Sequence, residues 1–267
     1  MDLGLNGKTA IVGGGSRGIG KAIATSLAHE GVDVVITSRN LESLSETAAK
    51  IAAETGQKII PMACDVTDRS AVDQLVEDAV AALGGVSILV NSASQPGGSP
   101  GATGSIESII DEELLNDFDT KYLGALRCAR AVIPHMQKAG WGRIINISGT
   151  NARTPGNLSG GARNVSLVHF TRTLALQFGR DGITVNCIHP GMTVTDRMKG
   201  NFERRARDAG VSYDEIAAET VAEIPLGRLI DPEDIAHSVL FFCSPLASIV
   251  TGQAIAVDGG SGTAVTY

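Results

Sequence analysis

The chain has 267 residues, with 22 Lys+Arg against 29 Asp+Glu and a formal charge of −7. At 43% hydrophobic and 19% charged residues it can bury a large core, which excludes disorder as its main state and favours one α/β domain at this length. A net acidic chain is poorly suited to grip a polyphosphate backbone, and no apolar run approaches the roughly 18–20 residues of a bilayer span, so neither nucleic acid nor membrane is an expected partner.

The opening MDLGLNGKTAIV carries no basic leader and no long apolar stretch, so a secretory signal is not expected. Short β-branched runs at 9–12, 32–37, 58–63, 86–90, 143–147, 184–188 and 254–257 alternate with amphipathic stretches at 20–30, 41–55, 71–83 and 163–178. Several runs are apolar on consecutive residues, as parallel strands covered on both faces are. The alternation predicts an α/β fold, a Rossmann-type doubly wound parallel sheet of about seven strands, in a single domain over 1–267. Two segments break the rhythm. Residues 95–105 (QPGGSPGATGS) form a Gly/Pro-rich loop after the fourth strand, and 196–224 form a charged insertion after the sixth. Both follow carboxyl ends of strands, the edge where open α/β sheets bind ligands. The insertion reads either as a substrate lid or as a solvated amphipathic hairpin. Cys64, Cys128, Cys187 and Cys243 lie far apart in apolar stretches, which fits reduced core thiols of a cytoplasmic protein and no metal site.

The first strand runs into Gly13-Gly14-Gly15-Ser16-Arg17-Gly18-Ile19-Gly20, and a helix follows. Glycines let the backbone approach a pyrophosphate, and the helix N-terminus offers free N–H groups and a positive dipole end. The second strand ends at Ser38-Arg39-Asn40, where a carboxylate would repel a 2′-phosphate and none is present. Two guanidinium groups, Arg17 and Arg39, suit a 2′-phosphate, so NADP(H) is expected in preference to NAD(H).

These residues resemble the classical short-chain dehydrogenase/reductase family, nearest its 3-oxoacyl thioester (acyl-carrier-protein) reductase branch. Gly14-x-x-x-Gly18-x-Gly20 is similar to the family's TGxxxGxG turn, with Gly13 in place of Thr. Asp65-Val66 resembles the pair that holds the adenine. Asn91-Ser92-Ala93-Ser94 stands where the family has NNAG, beside the cofactor ribose. Pro190-Gly191-Met192-Thr193-Val194-Thr195 resembles the segment that holds the nicotinamide and phosphates, and Asp258-Gly259-Gly260 closes the last strand as in many members. The resemblance implies hydride transfer to or from a carbonyl or activated double bond of a small metabolite or acyl thioester, by a homo-oligomer (tetramer or dimer).

The family's chemistry uses a Tyr, a Lys four residues later, a Ser and an Asn. Register taken from Phe170-Thr171-Arg172-Thr173-Leu174-Ala175 puts Gly160 at the Tyr position and Asn164 at the Lys position. Register from Arg143-Ile144-Ile145 puts Gly149 at the Ser position, and Asp119-Thr120-Lys121-Tyr122 puts Lys121 at the Asn position. An ammonium and an amide have traded places. Lys121, Ser148 and Asn164 are therefore the candidate catalytic residues: Lys121 as proton donor or fixed charge, and Asn164 as partner of the nicotinamide ribose. The alternative for Lys121 is a solvent-facing position on its helix. Strict alternation turns Ser148 to the opposite face, but at a strand end Ser148 or Thr150 can still reach the site. Of three tyrosines, Tyr122 should point away from Lys121, Tyr213 lies in the insertion, and Tyr267 is the C-terminus, within reach of a neighbouring subunit. His189 and His169 read as structural. Arg197, Lys199, Arg204, Arg205 and Arg207, interleaved with Glu203 and Asp208, read as an anion site or a salt-bridged surface. Two other functions remain open: a cofactor-binding protein without turnover, and a lyase or isomerase using Lys121.

Overall fold

A computed structural model describes residues 2–95 and 97–262. Seven strands, β1 (Thr9–Gly13), β2 (Asp33–Ser38), β3 (Ile59–Ala63), β4 (Ile88–Asn91), β5 (Gly142–Ile147), β6 (Ile183–Pro190) and β7 (Ala254–Val257), pair in parallel in the order β3-β2-β1-β4-β5-β6-β7. The order reverses between β1 and β4. Their carboxyl ends therefore open a crevice, the place where such sheets take ligands.

Alternate strand residues feed two cores, as the pleat requires. Ala10, Val12, Val34 and Ile36 face α1 (Gly18–His29), α2 (Leu41–Thr55) and α9 (Pro232–Cys243). Ile11, Val35, Leu89 and Ile144 face α3 (Arg69–Leu83), α5 (Gly124–Ala139) and α6 (Leu158–Phe178). Side-chain caps set several helix starts: Asn40 accepts from Ser43 N–H before α2, Asp68 from Ser70 and Ala71 before α3, and Asn157 from Gly160 before α6. These caps place α6 five residues earlier than the apolar pattern alone, and α3 two residues earlier.

The insertion after β6 is a helical hairpin, α7 (Asp196–Ala209) and α8 (Tyr213–Ala222), with its own small core of Met198, Phe202, Ala206 and Ile216. The Gly/Pro segment after β4 is tied down rather than loose. Gly101 N–H donates to Glu113 of α4 (Asp111–Phe118), and Asn157 Nδ2 donates to Gly97 O. Between α4 and α5 the chain makes one wide π turn, Asp119–Leu123. Among the described residues no helix is long and apolar enough to cross a membrane, no cluster of His, Cys, Asp and Glu is arranged to hold a metal, and all four cysteines are free and buried. Tyr267 lies outside the described residues.

Candidate active site

The glycine turn closes tightly over the end of β1. Gly14 (φ +70°) and Gly18 (φ +54°) take the left-handed conformation that favours glycine. A Cβ on Gly20 would run into the Gly14 carbonyl, and one on Gly14 would come within 2.9 Å of Ser92 O. Arg17, at the N-cap of α1, makes no side-chain cap bond, so the first N–H groups of that helix keep their positive end open. Thr47 of α2, which the sequence reading passed over, donates to Ser16 O at 2.9 Å and fixes the turn from outside. Ile19 packs on the α1 side of the core.

The remaining cofactor candidates line the same carboxyl edge. Ser38 ends β2 and Arg39 follows. Thr67 N–H holds the Asp65 carboxyl below the usual range, helped by the Thr67 hydroxyl and the nearby Arg39 charge. Asn40 Oδ1 is engaged in capping α2. Val66 is buried, and its carbonyl accepts from Arg127, whose other nitrogen lies 2.7 Å from Asp119 in the π turn. Asn91 Nδ2 donates to Asn146, which donates to Thr171 at 2.9 Å, a chain linking β4, β5 and α6. Ala93 packs against the second core. Pro190 ends β6, and a Cβ on Gly191 would lie 2.6 Å from Asp258 Cα. Thr193 donates to Gly191 O, and Thr195 caps α7 while its methyl lies 3.3 Å from the Cβ position of Gly18. The segment after β6 thus closes over the glycine turn.

Lys121, Ser148 and Asn164 converge on one buried patch. The wide turn rotates Lys121 inward, where it is 7% exposed and Nζ donates to Ser148 O at 2.9 Å. A solvent-facing Lys121 is therefore overturned. Burial, reinforced by the Arg163 cation, pushes the ammonium down to about 7, against smaller opposing effects of Cys187 and Asp117. Ser148 lies just past β5, so alternation no longer governs it, and its Oγ donates to Asn164 O at 3.2 Å. A Cβ on Gly149 would lie 2.7 Å from Asn164 Nδ2, so residues 148 and 149 both meet α6. Asn164 Oδ1 is buried with no partner among the described residues. His189 is buried beside this patch. Burial first, then Arg153, depresses its imidazole to about 4, so it is neutral at ordinary pH.

Other candidates lie elsewhere. Tyr122 packs on Phe118 at 5.2 Å and Phe170 at 5.8 Å, and shares an outer groove with His169. Tyr213 packs on Phe202 at 5.8 Å inside the hairpin. Arg204 donates to Asn201 and Arg205 approaches Glu219 at 3.7 Å, so these two serve the hairpin, while Arg197 reaches the loop after β4 at Gly97. Two asparagines unseen in the sequence reading fill the space at Gly160. A Cβ there would meet Asn151 Nδ2 at 2.7 Å and Asn157 Cγ at 3.0 Å. Asn151 stands on the short turn directly after Gly149, a placement that local pattern does not announce.

Known proteins share this architecture across its length. The family model described as Enoyl-(Acyl carrier protein) reductase matches residues 14–262. The chain is 34% identical over 264 residues to the 3-oxoacyl-[acyl-carrier-protein] reductase FabG of Vibrio cholerae, covering 97% of this chain and 98% of that one. It is 30% identical over 257 residues to the NADPH-dependent reductase BacG of Bacillus subtilis, covering 95% and 97%. The L-sorbose reductase of Gluconobacter frateurii, solved with NADPH and L-sorbose, superposes with a TM-score of 0.93 at 32% identity, covering 99% of this chain and all of that one. With the parallel sheet, the glycine turn and the closing segment after β6 all in place, the chain belongs to the short-chain dehydrogenase/reductase family of oxidoreductases.

Proposed function

We propose that the protein is an NADP(H)-dependent oxidoreductase that reduces or oxidises a carbonyl, or an activated double bond, in a small metabolite or acyl thioester through a non-standard site built on Lys121, Ser148 and Asn164. The observation that carries this reading is the buried Lys121, hydrogen-bonded to Ser148 O beside the unpartnered Asn164 Oδ1. The residues present fit a nicotinamide dinucleotide. The uncapped start of α1 suits a pyrophosphate, and Asn164 Oδ1 is an acceptor waiting for a hydroxyl. That cofactor, when bound, supplies or accepts hydride. Arg17 and Arg39 would face a 2′-phosphate, Asp65 and Val66 the adenine, and Asn91, Ser92, Ala93, Pro190, Gly191, Thr193 and Thr195 the nicotinamide half. Lys121 gives its proton to the developing alkoxide or holds that charge, and Asn151 Nδ2 offers a further polarising donor. The hairpin α7–α8, with Arg197 at its base, closes the substrate side. The outer groove between α5 and α6, lined by Leu126, Ile133, Phe170 and Leu174, is where a second copy would pack.

Calorimetry with NADPH and NADH tests the cofactor reading. Wild type should bind NADPH more tightly, and the R17A/R39A variant should lose about 10–100-fold in NADPH affinity with little change for NADH, from two charge-assisted hydrogen bonds. Equal affinities in wild type would overturn it.

A second reading is a cofactor-binding protein without turnover. It is favoured by the packing of Tyr122 and Tyr213 and by the asparagines that fill the space at Gly160. The four-site variant K121N/G149S/G160Y/N164K separates the two. If the natural site is active, the variant exchanges one substrate range for another. If it is not, the variant gains ketone reduction where wild type has none.

A further inference from the structure

Beneath the loop after β4 lie two charged side chains to which neither the sequence reading nor the proposed chemistry gives a role. Asp117 of α4 is 0% exposed, and Arg163 of α6 is 2% exposed. Asp117 accepts from Ser99 N–H at 2.9 Å, Ser99 Oγ at 2.8 Å and Ser159 Oγ at 2.6 Å. Burial pushes its carboxyl up, but these bonds outweigh burial and hold it below the usual range, so it is an anion. Arg163 Nη1 lies 3.9 Å from Asp117 Oδ2, too far for a hydrogen bond, while Nη2 donates to Gln95 O at 2.9 Å. Its Nε and Nη1 have no hydrogen-bond partner among the described residues. Gly98 (φ +101°) passes so close that a Cβ would come within 2.9 Å of Asp117 Oδ2.

A buried ion pair of this kind is costly to build, and well-packed apolar residues would hold two helices at least as well. Its position gives it another role. Asp117 precedes Lys121 by one turn, and Arg163 directly precedes Asn164. We propose that Asp117 and Arg163 are positioning residues that form a charge clamp: they fasten the loop after β4 to α4 and α6, and together they set the charge carried by Lys121. Lys121 Nζ donates to Ser148 O past β5, and the titratable and charged groups that bear on its charge are Asp117 of α4, Arg163 of α6, and Cys187 and His189 of β6. Cys187 and His189 are neutral at ordinary pH, since burial first of all raises the thiol to about 11 and lowers the imidazole to about 4. The formal charges acting on Lys121 are thus one anion and one cation of opposite effect. The clamp deepens the reading of Lys121 as the acid.

The test is an NMR titration of lysine-labelled full-length protein, with the Lys121 signal assigned by its loss in K121M and exposed Lys50 as internal reference. R163M should raise the Lys121 midpoint by about one pH unit, and D117N should lower it by less. The D117N/R163M protein should fall between the two single variants. S159A removes a hydrogen bond and no charge, so it should leave the midpoint in place while speeding amide exchange at Ser99. Midpoints that stay fixed, or that move the same way in D117N and R163M, overturn the clamp. So does S159A if it shifts Lys121 as far as D117N does. Should D117N fail to fold, R163M and the double variant still decide. The titration needs neither substrate nor cofactor, so a flat result refutes the clamp alone, whereas absent NADPH binding refutes the oxidoreductase reading.

Discussion

The K121M protein should be more stable than wild type at pH 7, by about 2 kcal/mol, and should lose turnover by roughly 10²–10⁴-fold. Both effects come from one feature. Lys121 is buried, with one hydrogen bond among the described residues, to Ser148 O, and burial lowers it from its ordinary 10.5 to about 7. An apolar side chain of similar length removes the penalty and loses one bond. The sign with pH follows from proton counts. Between about 7 and 10.5 the unfolded chain keeps a proton that the folded chain has released, so this residue makes wild type more stable as pH rises through that window, by up to about 1.4 kcal/mol per unit. Below 7 both states are protonated and the full cost of the buried charge remains. Urea unfolding of wild type and variant at pH 6, 7 and 9 should show the gap narrowing toward alkaline pH. Turnover in the reducing direction needs the protonated amine and should fall as pH rises through about 7. A variant with unchanged turnover removes Lys121 from the chemistry, and a gap that does not vary with pH removes the buried charge.

The second large effect is expected at Gly20. Its neighbour across the turn is a backbone carbonyl, Gly14 O, and a Cβ there would overlap it. Backbone cannot swing away as a side-chain end can, so Gly20→Ala must open the turn or shift α1. A loss of about 2–3 kcal/mol in stability and of about 100-fold or more in NADPH affinity is expected. Gly56→Ala is the control. Gly56 is also left-handed (φ +74°) but has nothing within 4 Å of its Cβ position. It should cost about 1 kcal/mol and leave cofactor affinity unchanged. Thermal melts with calorimetry on both variants distinguish a turn shaped for a ligand from ordinary glycine strain. Unchanged NADPH affinity in the Gly20→Ala protein would overturn the assignment of the turn.

Much of the fold was legible because parallel strands write themselves as apolar runs, and all seven runs became strands, with ends that differ by at most two residues. The glycine turn was legible because its strand and helix frame it in sequence. The helices α4, α5 and α9 were not among the amphipathic stretches read, since α4 has only eight residues and Pro134 stands inside α5; nothing in its length sets α9 apart from α1. Lys121 was legible as a pocket residue only through the family register at Asp119-Thr120-Lys121-Tyr122, and not through periodicity. Helical periodicity assumes about 3.6 residues per turn, and the wide turn at Asp119–Leu123 breaks that count, which sends Lys121 inward. The loop after β4 has the composition of a flexible segment. Its order depends on Glu113, Asp117, Asn157, Ser159 and Arg163, side chains from separate helices that no local pattern connects to it.

The crowding at two glycines also gives the pocket a direction of change. A side chain at position 149 meets Asn164, and one at position 160 meets Asn151 and Asn157. Introduced first, either substitution has to displace an amide already in place. Introduced after Asn164 has been altered, or after Asn151 has been altered and Asn157 has shifted, it meets less resistance. The same set of substitutions therefore passes through intermediates of different fitness depending on sequence of arrival, and contributions at touching sites do not add. A population of variants selected for a new activity from this chain should fix changes at the asparagines before any at the glycines, which makes the present pocket easier to leave by one route than to re-enter by another.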